Sequence, residues 1–218
     1  MRRHPGNSNL HLHTGDTFQG LPLQVNKGPF IREYLSRLNE TMDRALAQYP
    51  RVFAFRFDLR LPVGVQLPDY AYTNEVIDRF IESFKAKIKH NRRMARLLSK
   101  YAHDSNVRYL WTRECGQHGT PHHHLVILLN YDAFNTLGYF TSGRENIFTR
   151  LEDAWASALG LPAGGVKGLV EVPRNPTYRL DRGVWEGQAE FFFRSSYLCK
   201  AATKVFGDGS HGCGASRI

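Results

Sequence analysis

The chain has 218 residues, with 29 Lys and Arg against 20 Asp and Glu, so its formal net charge at pH 7 is +9. This length suits a single domain with one sizeable core, and the charge favours an anionic partner, nucleic acid before membrane, because basic and aromatic residues are interleaved. The longest apolar run, residues 125–129, is far too short to span a bilayer, and no apolar segment follows the start of the chain. We therefore expect a cytoplasmic protein without membrane contact.

Several motifs are absent from the sequence. The cysteines, Cys115, Cys199 and Cys213, are odd in number and lack CxxC spacing, so neither a zinc ribbon nor a disulfide framework is indicated, and a reducing cytoplasm fits best. No GxxxxGK[ST] motif occurs, so the sequence contains no fused P-loop helicase.

Residues 1–28 are polar, rich in Gly, Asn and His, and without sustained periodicity, so we predict an irregular N-terminal leader. They contain one His-apolar-His pattern, at His11 and His13. It is not favoured as a metal site, because it has no acidic residue nearby and no buried strand follows it. Apolar residues then recur at helical spacing over residues 30–49, which predicts a helix at the start of a single domain, residues 29–206.

Residues 51–61 alternate strictly, with phenylalanines on one face and Arg56 and Asp58 on the other. This pattern predicts a strand with an aromatic core face and a charged, functional face. Thr73 or Asn74 then caps a long predicted helix that runs towards Leu98.

The second half of this long helix, residues 85–96, is strongly basic. It is equally typical of a solvated helix face and of a track for phosphate groups. On the second interpretation, together with basic residues elsewhere, the DNA-binding set is Arg56, Lys85, Lys87, Lys89, Arg92, Arg93 and Lys204.

Residues 121–129 read PHHHLVILL, a histidine cluster that continues into an apolar run of strand length. Both the odd-numbered and the even-numbered residues of this run are apolar, which indicates a central strand covered on both faces. Because side chains alternate along a strand, His122 and His124 project from one face and His123 from the other. The first two are spaced to bind one metal ion.

A carboxylate for the same site comes from the preceding strand, predicted over residues 107–114. If the Gly-rich residues 115–120 turn this strand into a hairpin with the histidine strand, Glu114 lies about opposite His122 with its side chain on the same face. The sequence therefore predicts a His-His-carboxylate metal site formed by Glu114, His122 and His124.

The remainder of the chain is predicted as a helix over residues 144–159 that ends at Gly160, a short strand over residues 166–172 and an irregular connection over residues 173–187. A Gly-rich tail, residues 207–218, would be mobile.

The last predicted helix covers residues 188–205. One stripe of its surface would face the core and consists of Phe191, Leu198, Ala202 and Val205. A second stripe, about a third of a turn away, consists of Tyr197, Lys200 and Lys204. This second stripe can face the metal ligands across the sheet while the helix stays packed.

A tyrosine beside two lysines lies in a positive field that favours its phenolate and an approaching phosphate. Tyrosine hydroxyls serve as covalent nucleophiles but need activation, because their ordinary pKa is near 10. A divalent metal would polarise a phosphate oxygen and orient the scissile bond. The two halves together suit attack of Tyr197 on a phosphodiester, which leaves a 5′-phosphotyrosyl link and a free 3′-OH.

With a histidine strand, a nearby acid and a late Tyr-x-x-Lys segment, the sequence resembles the HUH endonuclease superfamily. It resembles in particular rolling-circle replication initiators of the kind found in inovirus-type filamentous phages and prophages. PHHHLVILL is similar to the superfamily's His-apolar-His metal motif, YLCK to its Tyr-x-x-Lys motif, and VFAFRFDLRLP holds the place of its first-strand motif. The resemblance covers about residues 50–206. The sequence departs from the pattern at His123, where the superfamily has an apolar residue.

The resemblance implies an α+β fold, with a ferredoxin- or RRM-like antiparallel sheet of about five strands and flanking helices. It implies Tyr197 as the nucleophile, Lys200 as a phosphate-positioning or proton-handling residue, and Glu114, His122 and His124 as ligands of Mg²⁺ or Mn²⁺. The implied activity is metal-dependent, site-specific nicking and joining of a single-stranded DNA origin or hairpin at the start of rolling-circle replication. Host helicase and polymerase would be partners.

Other interpretations stay open at this point. A single-tyrosine HUH transposase keeps the same order of motifs, and a catalytically silent DNA-binding regulator could retain the same fold. A two-histidine, one-carboxylate iron oxygenase would share the ligand set, but it would not need Tyr197, Lys200 or the basic surface.

Overall fold

The computed structural model describes residues 2–116, 120–140, 145–207 and 211–217. Its strands are β1 Arg3–His4, β2 Asn7–His13, β3 Thr17–Phe18, β4 Leu21–Pro22, β5 Phe30–Ile31, β6 Arg51–Leu59, β7 Arg108–Cys115, β8 Pro121–Asn130, β9 Val170–Glu171, β10 Thr177–Asp181 and β11 Cys213–Ala215. Its α-helices are α1 Arg32–Gln48, α2 Glu75–Leu98, α3 Ile147–Leu159 and α4 Trp185–Ser195. Short 3-10 helices cover Val25–Lys27, Asp69–Tyr72 and Ser196–Cys199.

The main sheet is antiparallel, with strand order β10-β6-β8-β7-β11, and β9 pairs with the end of β6 beyond β10. The fold is therefore α+β, as expected, with six strands in this sheet where about five were predicted. The histidine strand β8 lies at the centre, between β6 and β7, which confirms its predicted central position.

The sheet separates two apolar cores, because both faces of its central strands are buried. On one face, Phe53, Phe55 and Phe57 of β6 pack against α2 and α3. On the other face, Val52 and Ala54 pack against α1 and α4. The predicted aromatic face of β6 is confirmed, while its opposite face is apolar at first and becomes polar only towards the end of the strand.

The helices α1, α2 and α3 correspond to the predicted ones. Asn146 caps α3 by accepting from the backbone N–H of Thr149, and Gly160 ends it with a positive φ of 69° that suits glycine. No helix in the described part of the chain has the length and apolarity needed to cross a membrane.

The first 28 residues were predicted to be irregular, but the structure places short strands there. In β2, Leu12 and His13 pair with Ile31 and Phe30, the residues just before α1. Phe18, Leu21 and Leu23 are buried in the core beneath α4. These strands lack the alternation that reveals a strand, because they are short and paired with one another rather than with the main sheet.

The C-terminal third also differs from expectation. The connection predicted to be irregular contains β10, which pairs with β6, and the predicted mobile tail contains β11, which pairs with β7. The last helix ends at Ser195 rather than at 205 and continues as the 3-10 helix Ser196–Cys199. Its predicted core stripe is consequently wrong at Ala202 and Val205, which are exposed.

Some predicted features fall partly outside the described residues. These are residues 117–119 of the predicted turn, residue 144 of the third predicted helix, and residues 208–210 and 218 of the tail.

Candidate active site

Glu114, His122 and His124 lie together on the face of the sheet that packs against α1 and α4. Glu114 pairs with His122 across β7 and β8, and Thr112 pairs with His124. One ligand atom from each of the three side chains lies within 4.8 Å of the other two. This geometry agrees with the predicted His-His-carboxylate set, which is the only such group of three among the described residues.

His123 projects from the opposite face and does not belong to this group. It is fully buried, and its ring lies edge-on to Trp111 with 5.9 Å between ring centroids. Burial, helped by the charge of Arg113, lowers the pKa of His123 to about 3. His123 is therefore a neutral core residue, as strand parity predicts.

The orientation of His124 is set by Asp58 on the neighbouring strand β6. Asp58 is opposite His124 in the pairing of β6 with β8, and its Oδ1 lies 2.6 Å from His124 Nδ1. When Nδ1–H donates to this carboxylate, the neutral ring presents the Nε2 lone pair to the site. The sequence placed Asp58 on the functional face but gave it no role.

A divalent metal fits these residues on two grounds. His124 Nε2 is buried and has no hydrogen-bond partner in the described part of the chain, although Glu114 Oε2 lies 3.3 Å away. In addition, a carboxylate held against the far nitrogen of a ligating histidine is a recurrent feature of metal sites. An ion held by Glu114, His122 and His124 would satisfy the unpaired nitrogen.

Electrostatics favour the ligand forms of two of these groups. Burial alone would raise the pKa of Glu114, but His124 and Lys204 outweigh it and hold that pKa far below the usual range. Burial and the adjacent charge of His124 lower the pKa of His122. At neutral pH, Glu114 is therefore a carboxylate and His122 a neutral imidazole, the states in which each binds metal.

Tyr197 reaches this site from the 3-10 helix Ser196–Cys199. Lys200 Nζ donates to Tyr197 Oη at 2.6 Å and lies 3.2 Å from Glu114 Oε2. The Tyr197 ring lies edge-on to His124, with 5.7 Å between ring centroids, and the Arg56 guanidinium is 5.7 Å from the ring centroid of Tyr197. The structure thus brings Tyr197 and Lys200 next to the candidate metal ligands.

The N-terminal segment holds this turn in place. Phe30 and Lys200 form an isolated antiparallel bridge, and the backbone N–H of Ala201 donates to the Pro29 carbonyl at 2.9 Å. The side-chain amide of Gln24 donates to the carbonyls of Phe193 and Arg194 at the end of α4. These contacts explain why the helix ends where it does.

The predicted DNA-binding residues are not all on one surface. Arg56 lies beside Tyr197 and donates to the Arg194 carbonyl at 2.6 Å. Lys204, in contrast, is buried and forms an ion pair with Glu114 Oε1 at 2.8 Å, so it does not lie at the surface beside Arg56. Its contact with DNA stays a prediction.

The remaining members of the predicted DNA-binding set are far from the site. Lys85, Lys87, Lys89, Arg92 and Arg93 are on α2, which packs against the opposite face of the sheet. Arg92 contacts the His103 carbonyl and the ring of Phe134, beyond the far end of β8. The structure therefore does not connect a basic track on α2 with the histidines.

The second histidine match, in the N-terminal segment, has separate partners. His11 Nδ1 lies 2.8 Å from Glu33 Oε1, and His13 Nε2 lies 2.8 Å from the Thr17 carbonyl. The neighbouring acid absent from the local sequence thus comes from α1, but it completes no group of three ligands among the described residues.

Chemically, the arrangement combines a candidate nucleophile and a candidate cation site. A tyrosine hydroxyl with an ammonium donor lies next to a two-histidine, one-carboxylate group, and Arg56 adds a positive charge beside the ring. Such a set can bind a phosphate ester and stabilise the negative charge that develops during attack on phosphorus.

Comparisons with known proteins agree over almost the whole chain. A model of the YagK/YfjJ C-terminal domain family matches residues 13–216. The chain is 32% identical over 210 residues to the uncharacterized protein YagK of Escherichia coli (strain K12), which covers 93% of the chain and 98% of YagK. It is 30% identical over 200 residues to the uncharacterized protein YfjJ of the same organism, covering 87% of the chain and 96% of YfjJ. No solved structure matches it. The chain belongs to the YagK/YfjJ C-terminal domain family.

Proposed function

We propose that this protein is a metal-dependent enzyme that nicks and rejoins single-stranded DNA and initiates rolling-circle replication. The observation that carries the proposal is the convergence of Tyr197, Lys200 and the Glu114–His122–His124 group on one face of the sheet. Each feature alone is common, but a nucleophile, its ammonium donor and a ligand set in direct contact are typical of a catalytic site.

The ligand group would hold Mg²⁺ or Mn²⁺. Two imidazoles favour Mn²⁺ by intrinsic affinity, and availability favours Mg²⁺. When bound, the ion would polarise a non-bridging oxygen of the scissile phosphate.

The chain's own residues would carry the covalent step. Tyr197 Oη loses its proton to solvent and forms a bond to phosphorus, while the bond between phosphorus and O3′ breaks and O3′ takes up a proton. Lys200 donates to Oη and stabilises the charge that builds on this oxygen. Because one phosphodiester replaces another, the step is reversible, and the free 3′-OH can attack the phosphotyrosine to rejoin the strand.

The partners follow from this chemistry. The substrate would be a single-stranded DNA origin or hairpin in the cytoplasm of a bacterial host. Since the sequence contains no P-loop motif, a host helicase would unwind the duplex, and a host polymerase would extend the free 3′-OH. Arg56, whose guanidinium lies beside the Tyr197 ring, would contact the DNA backbone.

A random-sequence library of single-stranded oligonucleotides tests the proposal without knowledge of the origin. Incubation with the full chain and Mn²⁺ should give a covalent adduct on a denaturing gel. A label at the 3′ end should stay with the protein, whereas a label at the 5′ end should leave on a shortened strand. Tyr197→Phe should abolish the adduct, and Tyr101→Phe, at a side chain that is 78% exposed, should not.

Two results would contradict the proposal. An adduct that persists in Tyr197→Phe would exclude this residue as the nucleophile. Binding of the library that weakens with salt, with no cleavage in Mg²⁺ or Mn²⁺, would identify a DNA-binding protein without the activity.

A further inference from the structure

Lys204 contacts the candidate metal site but has no place in the reaction described above. Its side chain is 0% exposed, and its Nζ lies 2.8 Å from Glu114 Oε1. A substrate that approaches from solvent cannot reach this ammonium group. Lys204 therefore affects the site only through its ion pair with Glu114 and through the electrostatic potential of its positive charge.

The two oxygens of Glu114 have different surroundings. Oε1 contacts Lys204, while Oε2 lies 3.2 Å from Lys200 Nζ, 3.3 Å from His124 Nε2 and 3.8 Å from His122 Nε2. Oε2 is thus the oxygen available to a metal. Both oxygens nevertheless contact an ammonium group, so two positive charges already surround the only anionic ligand in the group.

When His122 and His124 are neutral, as metal binding requires, the charges in the contacts that surround the ligands balance. Lys200 and Lys204 contribute two positive charges, and Glu114 and Asp58 contribute two negative charges. A divalent cation would add two positive charges to this set. In a buried site with weak dielectric screening, the two ammonium groups would repel it.

We propose that Lys204 weakens the binding of a divalent cation and thereby couples cation binding to the binding of a phosphodiester. A phosphate at the site supplies the negative charge that the site lacks, so each of the two ligands strengthens the other by the same factor. The phosphodiester part of this inference rests on the proposed function. The effect of Lys204 on the cation does not, because it is measured without DNA.

Titration of the full chain with Mn²⁺, with free Mn²⁺ followed by electron paramagnetic resonance, tests the role of Lys204. Lys204→Met should lower the Kd for Mn²⁺ at least about tenfold, because a buried positive charge near the ligands is removed. Lys204→Arg, which keeps the charge, should stay close to wild type. Lys89→Met, on the exposed surface of α2, is the matched control and should change nothing.

Equal or weaker Mn²⁺ binding by a folded Lys204→Met would overturn the inference. If this variant fails to fold, the same Mn²⁺ titration of Tyr197→Phe, which cannot form an adduct, decides the question. A saturating single-stranded oligonucleotide should tighten Mn²⁺ binding at least about tenfold in that protein. Mn²⁺ affinity that is unchanged by a bound oligonucleotide overturns the coupling, whereas an oligonucleotide that does not bind at all overturns the proposed function itself.

Discussion

At the scale of single residues, the site depends on how Asp58 holds His124. The 2.6 Å contact from Asp58 Oδ1 to His124 Nδ1 fixes the ring and leaves Nε2 directed at Glu114. A histidine whose far nitrogen is held in this way loses little freedom when it binds a metal, and the carboxylate makes it a stronger ligand.

We therefore expect Asp58→Ala to weaken Mn²⁺ binding by about 10- to 100-fold, since removal of such a carboxylate releases the ring and lowers its basicity. The measurement is a Mn²⁺ titration of each purified variant at neutral pH. Asp153→Ala, at an exposed position on α3, is the control and should bind like wild type. Wild-type affinity in Asp58→Ala would show that His124 does not bind the ion through the arrangement described here.

Protonation of His124 should compete with the binding of a metal ion. Burial lowers its pKa, but the hydrogen bond to Asp58 and the adjacent Glu114 carboxylate outweigh burial, so the pKa lies above the ordinary value of 6.5. A metal binds only the neutral ring. Because the pKa of His124 is raised, protons already compete with Mn²⁺ for this ring at a pH above 6.5. Mn²⁺ affinity should therefore fall as the pH is lowered from about 8 to about 6, and Asp58→Ala should move the decline to lower pH. Affinity that is constant over this range would contradict the assignment.

The grouping of the three candidate metal ligands could be predicted from the sequence because it depends on strand parity and on one hairpin. Strand parity separates His122 and His124 from His123, and one hairpin brings Glu114 opposite His122. The role of Asp58 could not be read in the same way, because it depends on the register between β6 and β8, which are far apart in the sequence.

At the scale of elements, the basic half of α2 is separated from the site by the sheet. The helix packs on the Phe53, Phe55 and Phe57 face, whereas Tyr197 approaches the opposite face. Under the proposed function, charge on this helix would attract DNA from a distance but would not bind the phosphate that Tyr197 attacks.

We expect a triple variant, Lys85→Gln, Lys87→Gln and Lys89→Gln, to form adducts with a short oligonucleotide within about twofold of the wild-type rate, because exposed charges at this distance are screened by salt. Arg56→Gln should slow adduct formation by about tenfold or more, since its guanidinium lies beside the nucleophile. Single-turnover gel assays at moderate salt measure the rate of adduct formation for the triple variant and for Arg56→Gln. Equal losses in the two variants would place the DNA path on α2 instead.

Helices and strands with a long periodic pattern could be predicted from the sequence. Short segments whose structure depends on pairing with a distant part of the chain could not. The alternation of β6 and the helical spacing of α1, α2 and α3 are local signals that the structure confirms. The end of α4 is different, because Tyr197 and Lys200 have helical spacing in the sequence. α4 nevertheless ends at Ser195, and the 3-10 helix that follows ends just before Lys200, which pairs with Phe30, a contact that no local pattern reveals.

At the scale of the whole molecule, the two ends of the chain belong to the fold. The N-terminal strands cover the core around α4, and β11 pairs with β7 at the edge of the main sheet. The family match over residues 13–216 and the two Escherichia coli relatives span nearly the same length. The family therefore shares most of the chain rather than a smaller central unit.

Deletion of residues 2–28 should strongly destabilise the protein. It removes the buried side chains of Leu12, Phe18, Leu21 and Leu23, which together stabilise the fold by on the order of 5 kcal/mol or more. The shortened chain should fail to fold or melt at least about 10 °C lower in a thermal scan. Leu23→Ala in the full chain should shift the melting temperature in the same direction by less. A shortened chain that melts at the wild-type temperature would show that the segment is only a leader.

Peptide mass spectrometry of the protein after reaction with single-stranded DNA and Mn²⁺ tests the attack by Tyr197 most directly. After digestion with nuclease and protease, we expect one peptide that carries a nucleotide through a phosphotyrosine at Tyr197. The same peptide should be unmodified when Mn²⁺ is chelated or when His124 is replaced by Ala. A nucleotide found on any other residue, or on Tyr197 regardless of the metal and His124, would contradict a metal-assisted attack by this tyrosine.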